Sequence, residues 1–130
     1  ELALDIHHIF PQDWCEKNSI KRAIYNTIVN KTPISYKGNR MIGGNAPSSY
    51  LLKLQTHAQV QMGDDQMDSI LSTHFVDPST LRNDDFSAFY SARKSALVKV
   101  VERAMGKTAS AANSGADDSE FSEEEGGATQ

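Results

Sequence analysis

Apolar residues at the start of the chain follow a strand pattern in two places. Residues 2–10, LALDIHHIF, mix alternating and continuous apolar character and predict a β-strand that is ended by Pro11. Residues 27–38, TIVNKTPISYKG, hold β-branched residues, a proline and a terminal glycine, which predict a second short strand with Pro33 at an edge or bulge. Between the two, Ser19 is placed to cap a short helix over residues 20–26.

The pattern changes to helical spacing after the second strand. A helix is expected to open at Asn39, to stop at the Gly43-Gly44 pair, and to be followed by a helix from Pro47 to about His57. A shorter helix is expected over residues 67–75. The sequence therefore predicts an α+β fold that is mostly helical.

The strongest helical signal begins at Asp84 or Asp85, either of which can cap a helix. Apolar residues then recur mostly at three-and-four spacing. They are Phe86, Phe89, Tyr90, Leu97, Val100, Val101 and Met105. We expect this helix to pack against the strands and to end at Gly106-Lys107.

Length and composition limit the classes of protein that the chain can belong to. It has 130 residues, enough for one domain with a modest core, which we assign to residues 1–107. Residues 108–130 are rich in serine, alanine, glycine and acid, and predict a disordered tail. The chain starts at Glu1 directly in a strand, so we expect an N-terminal region of a longer protein to precede it. It has no run of about 20 apolar residues and no leader, which predicts a soluble cytoplasmic protein. Its single cysteine, Cys15, excludes an internal disulfide and a cysteine-rich zinc site.

The distribution of charge changes this picture more than the total of −4 does. Six acidic residues follow Lys107, and without them 11 acidic residues face 13 basic ones, a net charge of about +2 for residues 1–107. No acidic residue lies between Glu16 and Asp64, whereas seven basic residues do. This block suits a polyanion, and the alternative is a solvated surface with chance clustering.

Four polar motifs fall in the same stretch of chain. They are Asp5-Ile6-His7-His8-Ile9-Phe10-Pro11, Asn30-Lys31-Thr32, Asn39-Arg40 and Asn45-Ala46-Pro47-Ser48. Each is a weak signal alone, because paired histidines and turn asparagines are common. Together they supply an imidazole base, possible metal ligands and cations, which phosphodiester hydrolysis requires.

This combination resembles the HNH or His-Me finger (ββα-metal) nucleases. The resemblance lies in His7, then His8-Ile9-Phe10-Pro11, then Asn30, and Asn39 nine residues later. Beyond the finger, Asp85 to Phe89, Arg93 and Ala104 to Lys107 are similar to the C-terminal nuclease half of modification-dependent restriction proteins of the GmrSD and phosphorothioation-dependent Ssp type. The resemblance implies a ββα-metal finger packed against C-terminal helices, acting as a DNA endonuclease in bacterial anti-phage restriction beside a missing N-terminal sensor or NTPase region.

The resemblance also implies roles for individual residues. His8 would be the general base, and Asn30 would brace the loop that fixes its imidazole. His7 and Asn39 would ligate one divalent ion, with Asp5 as a further ligand or a partner of a histidine; its alternative is a solvated acid. Because His7 stands where many members have aspartate, Mn²⁺, Ni²⁺ or Zn²⁺ compete better with Mg²⁺.

Several side chains are candidates for contact with DNA. Lys31, Lys37, Arg40 and Lys53 lie nearest the motifs and are expected to contact phosphates. Trp14, Tyr36 and Tyr50 are candidates for stacking on a base, although core packing is the better interpretation for Trp14. An alternative function is a non-catalytic nucleic-acid-binding module of the same shape, and the acidic tail either competes with DNA or only solubilises the chain.

Overall fold

The computed structural model describes residues 4–112, without the side chains of Leu4, Tyr36, Lys37 and residues 107–112. The chain divides into two compact units, Glu1–Ser95 and Ala96–Gln130. The hydrophobic core and the candidate site lie in the first unit. Residues 108–112 of the predicted tail are helical, so the expected helix end at Gly106-Lys107 and disorder from residue 108 are wrong there. The segment from residue 113 onward lies outside the described residues, so its disorder stays a prediction.

Two antiparallel strands form the sheet: β1 (Leu4–His8) and β2 (Lys31–Ser35). The register places His8 opposite Lys31, His7 opposite Thr32 and Ile6 opposite Pro33. Among the described residues each strand pairs with one other strand, so Pro33 lies in an edge strand, as predicted. Proline is tolerated there because no strand on its other side needs a backbone N–H from it.

The segment between the strands differs from the prediction. It holds two short helices, α1 (Gln12–Lys17) and α2 (Arg22–Tyr25), and a 3₁₀ turn at Ile28–Asn30. The expected cap at Ser19 is wrong, because Ser19 has a positive φ of 62° and α2 begins only after Lys21. Both helices are too short to produce a readable apolar period, which is why α1 was missed.

A helix follows β2 without a loop. Helix α3 (Tyr36–Ile42) begins three residues before the predicted start, because the Ser35 hydroxyl accepts a hydrogen bond from the Gly38 N–H and caps it. It ends at Gly43, whose φ of +52° favours glycine, as the glycine pair predicted. The order strand, strand, helix is therefore present.

Four more helices complete the described chain: α4 (Pro47–Thr56), α5 (Asp64–Thr73), α6 (Pro78–Arg82) and α7 (Phe86–Ala112, with non-helical geometry at Gly106). The bounds of α4 confirm the prediction, and α6 was missed. Asp85 accepts from the Ala88 N–H at the start of α7. Asp84 instead accepts from the N–H and hydroxyl of Ser48 at 2.8 and 2.7 Å, which fixes the first turn of α4.

Aromatic packing joins the end of β1 to the start of α7. The ring of Phe10 is fully buried and lies 4.9 Å from Trp14, 5.2 Å from Phe86 and 4.9 Å from Phe89, measured between centroids. Such aromatic pairs stabilise the fold by more than their buried area alone would give.

The structure confirms an α+β, mostly helical fold. Within residues 4–112 no helix has both the length and the apolar character that crossing a bilayer requires.

Several apolar residues on α2, on the 3₁₀ turn and on α7 are exposed to solvent. Ile24 and Ile28 are 40% and 75% accessible, because α2 is only four residues long and buries only Tyr25. Val101 and Met105 are 55% and 58% accessible, since the buried positions of α7 end at Arg93. The apolar spacing beyond Arg93 therefore does not mark core.

Candidate active site

His8 is the last residue of β1 and is half-buried. Its Nε2 lies 3.0 Å from Oδ1 of Asn26, and its ring meets the ring of Tyr25 edge-on, with centroids 5.9 Å apart. Tyr25 ends α2 and Asn26 is the residue after it. The imidazole is thus held at the end of a strand by two consecutive residues from the end of a helix.

Lys31 is directly opposite His8 in the sheet. Directly opposed residues point to the same face, with Cβ atoms about 4.5–5.5 Å apart. The same face also carries Ile6, which is 63% accessible. The register therefore brings a cation beside the imidazole on a sheet face that is open to a large ligand.

His7 lies on the other face, because successive side chains of a strand alternate. Its Nε2 is buried and has no hydrogen-bond partner among the described residues. Thr32 stands opposite, with its Oγ1 2.9 Å from Nδ1 of His74. The imidazoles of His7 and His8 therefore lie on opposite faces of the strand. Among the described residues, Nε2 of His7 has no hydrogen-bond partner and is able to bind another group.

Asn30 connects the end of β1 to the end of α2. It is fully buried, and its Oδ1 accepts from the Phe10 N–H at 2.8 Å. Its Nδ2 donates to the carbonyls of Phe10 at 2.9 Å and Tyr25 at 3.0 Å. The hydrogen bonds that the carboxamide makes within the described part of the chain therefore all go to the backbone of Phe10 and Tyr25, and the role of Asn30 in catalysis stays a prediction.

Two buried groups hold the next part of that loop. The Tyr50 hydroxyl donates to the Ile9 carbonyl at 2.6 Å, and burial raises the pKa of Tyr50 far above its ordinary value. Tyr50 is only 4% accessible, so the expectation that it stacks on a base is wrong. The Cys15 thiol donates to the Phe10 carbonyl at 3.5 Å, and desolvation raises the pKa of Cys15 to about 12, which makes it a poor nucleophile.

Arg93 was noted in the sequence only as part of the resemblance, and the structure makes it a central support. Its guanidinium is nearly buried, and it donates to the carbonyls of Ile28, Val29 and Lys31 and, through Nε, to that of His74. In the described part of the chain it forms no salt bridge. A signal was present, because an arginine four residues after Phe89 continues the buried face of α7.

The remaining predicted ligands are spread over two elements. Asn39 is half-buried on α3, which packs against both strands, and Asp5 is exposed on the same face of β1 as His7. No three histidine, cysteine, aspartate or glutamate side chains come together among the described residues. A metal ion here would depend on His7 and the Asn39 carboxamide.

The remaining predicted phosphate contacts lie beyond the sheet. Arg40 is exposed on α3, and Lys53 is exposed on α4. The side chain of Lys37, like that of Tyr36, lies outside the described residues. Lys31 is therefore the basic candidate that the structure places next to His8.

Comparison with known proteins adds one relative. The chain is 29% identical over 92 residues to a protein of Methanocaldococcus jannaschii named uncharacterized protein MJ0686. The match covers 65% of this chain and 16% of that protein, so the chain spans about a sixth of its relative. No family model and no solved structure matches the chain.

Proposed function

We propose that this chain is a metal-dependent DNA endonuclease domain that nicks DNA, as part of a bacterial restriction system that senses modified DNA. The observation that carries the proposal is the pairing of His8 with Lys31. The pairing sets a half-buried, firmly held imidazole beside a lysine on an open sheet face. A neutral imidazole can act as the general base in phosphodiester hydrolysis, and a cation can bind and position the phosphate.

In this proposal His8 acts as the general base. It removes a proton from a water molecule while the water oxygen bonds to phosphorus. The bond from phosphorus to the 3′-oxygen then breaks, and the leaving oxygen takes a proton from solvent to give a 3′-hydroxyl and a 5′-phosphate. Lys31 binds a phosphate oxygen and orients the strand for this attack.

His7 and Asn39 are the residues that would hold one divalent ion. The fit rests on the buried His7 Nε2, which has no partner among the described residues, and on an amide oxygen of the kind that hard cations accept. When bound there, such an ion would supply neutralisation of charge on a phosphate and on its departing oxygen. His7 and His8 lie on opposite faces of β1, so a phosphate that meets both would have to reach around the end of the strand.

The test is nicking of supercoiled plasmid by the purified chain with Mn²⁺ or Mg²⁺. His8→Ala should lower the cleavage rate by at least about 100-fold, because general-base catalysis contributes about 10²–10⁴. DNA binding at low salt should persist. The matched control is His57→Ala, since His57 is exposed after α4 and its ring accepts a hydrogen bond from the nearby Gln59 N–H. Equal cutting by His8→Ala and the parent would refute the catalytic assignment.

The alternative function gives a different result in the same assay. Absence of cleavage with every divalent ion, together with intact DNA binding, would favour the non-catalytic binding module.

Lys31 is tested separately through the salt dependence of DNA binding. Lys31→Ala should reduce the slope of log K against log salt by about 1, because one phosphate contact is lost. Lys94→Ala is the control, as Lys94 is exposed on α7 and outside the proposed site. An unchanged slope for Lys31→Ala would remove this residue from the interface.

A further inference from the structure

We infer that Asn26 is the positioning residue of His8, and that it keeps the proton of the neutral imidazole on Nε2 so that Nδ1 is the nitrogen that accepts the proton from water. The inference deepens the proposed function and rests on it for its catalytic part. Asn26 belongs to none of the four motifs. It was not recognisable from the sequence, because an asparagine directly after a helix is common in any fold.

The first support is the contact itself. Oδ1 of Asn26 lies 3.0 Å from Nε2 of His8, a distance typical of a hydrogen bond. In neutral imidazole one nitrogen donates and the other accepts, whereas a carboxamide oxygen only accepts. With Oδ1 facing Nε2, the ring proton lies on Nε2 and the lone pair lies on Nδ1. The reversed amide would donate to Nε2, put the proton on Nδ1 and leave no base.

The second support is the anchoring of the backbone that carries Asn26. The Asn26 N–H donates to the Arg22 carbonyl at 3.0 Å, which fixes the residue at the end of α2. The preceding Tyr25 is buried, its hydroxyl donates to Glu16 at 2.8 Å, and its carbonyl accepts from Asn30 at 3.0 Å. Asn30 also binds both backbone groups of Phe10, two residues after His8.

The consequence is that the backbone segments carrying His8 and Asn26 are joined to one another through Asn30. Asn30 holds the chain after His8 and the chain before Asn26 at once, so the carboxamide is presented to the ring by a fixed scaffold. The edge-on contact between the rings of Tyr25 and His8 also restricts the orientation of the imidazole. A positioning role needs this kind of support, because a hydrogen bond from a mobile loop does not select one tautomer.

The experiment first measures the tautomer directly. Nitrogen NMR of the full chain, without DNA and at a pH where His8 is neutral, should give a protonated Nε2 and an unprotonated Nδ1. Asn26→Leu should raise the Nδ1-protonated fraction, and Asn26→Asp, which keeps an acceptor oxygen, should restore the wild-type pattern. A wild-type His8 with its proton on Nδ1 overturns the inference.

Nicking kinetics with the same variants form the second arm. Asn26→Leu should lower kcat about fivefold with KM unchanged, the size expected for one exposed hydrogen bond, and Asn26→Asp should keep kcat within about twofold. Asn83→Leu is the matched control, because Asn83 also follows a helix, is exposed, and has no side-chain hydrogen bond among the described residues. Wild-type kcat in Asn26→Leu, or a kcat in folded Asn26→Asp as low as in Asn26→Leu, overturns the inference.

The two arms separate this inference from the proposed function. If the wild-type chain cuts no DNA, the proposed function fails, and the NMR result alone decides whether Asn26 sets the tautomer. If the chain cuts and Asn26→Leu behaves as the parent in both arms, only the role of Asn26 is refuted. Asn26 is exposed, so loss of folding is not expected, and a thermal melt of each variant verifies this.

Discussion

Removing the side chain of Asn30 tests whether the loop around His8 is held in the way the hydrogen bonds indicate. Asn30→Ala deletes one acceptor and two donated bonds in a fully buried place. It leaves the Phe10 N–H and the Tyr25 carbonyl without protein partners, while the Phe10 carbonyl keeps only the weak contact from Cys15.

The magnitude follows from these losses. A buried donor or acceptor left unsatisfied costs about 1–3 kcal/mol, so the substitution should lower the free energy of unfolding by about 3–5 kcal/mol. Domains of this size have about 5–15 kcal/mol in total. With a urea slope of about 1–3 kcal/mol per molar, the midpoint of unfolding should fall by at least about 1 M.

The substitution Asn30→Asp should lower stability by an amount that depends on pH. One carboxylate oxygen can accept from the Phe10 N–H, but the other faces two carbonyl oxygens. Burial and these dipoles raise the pKa of the introduced carboxyl in the folded state above its unfolded value of about 3.9. A raised folded pKa means that the stability contribution is present below the unfolded pKa and is lost as pH rises through the folded pKa. The destabilisation relative to wild type should therefore increase from pH 5 to pH 8.

The assay is urea unfolding followed by circular dichroism, with Asn83→Ala as the exposed control, which should change stability by less than about 0.5 kcal/mol. A loss below about 1 kcal/mol for Asn30→Ala, or a pH-independent deficit for Asn30→Asp, would show that these bonds do not hold the loop.

Two further predictions concern buried groups. Cys15, with its pKa raised to about 12, should resist thiol reagents at pH 8 in the folded chain and react fully in urea; rapid labelling of the native protein would contradict its burial. Arg93→Lys keeps the charge, but an ammonium group cannot bind the four carbonyls that the planar guanidinium binds. Thermal melting should therefore report that the free energy of unfolding falls by about 2–4 kcal/mol. Wild-type stability would show that the guanidinium bonds contribute little.

The sequence predicted the parts of the fold that local chemistry determines. Pro47 at the first helical position, the glycine at the end of α3 and Asp85 at the start of α7 each act on their own neighbours, so their positions follow from residue type. The short helices α1 and α6 have five or six residues and no apolar period to detect. Their positions depend on packing that only the folded chain provides.

The candidate site divides in the same way. His8 and Asn30 were candidates because of the motifs that contain them. The contact between His8 and Asn26 was not recognisable, because Asn26 lies 18 residues away and its type is ordinary in a turn. Likewise, Tyr50 was a candidate for stacking on a base, because the sequence does not show that its hydroxyl meets the Ile9 carbonyl in the core.

The bonds from Arg93 have a consequence for any attempt to transplant the segment from β1 to α3. The segment from β1 to α3 looks portable, since the four candidate residues His7, His8, Asn30 and Asn39 all lie within it. Yet the carbonyls at the start of β2 are bound by a guanidinium more than 60 positions later. An excised segment would lack the guanidinium that binds these carbonyls, so a minimal fragment that keeps this conformation has to extend through the first turns of α7.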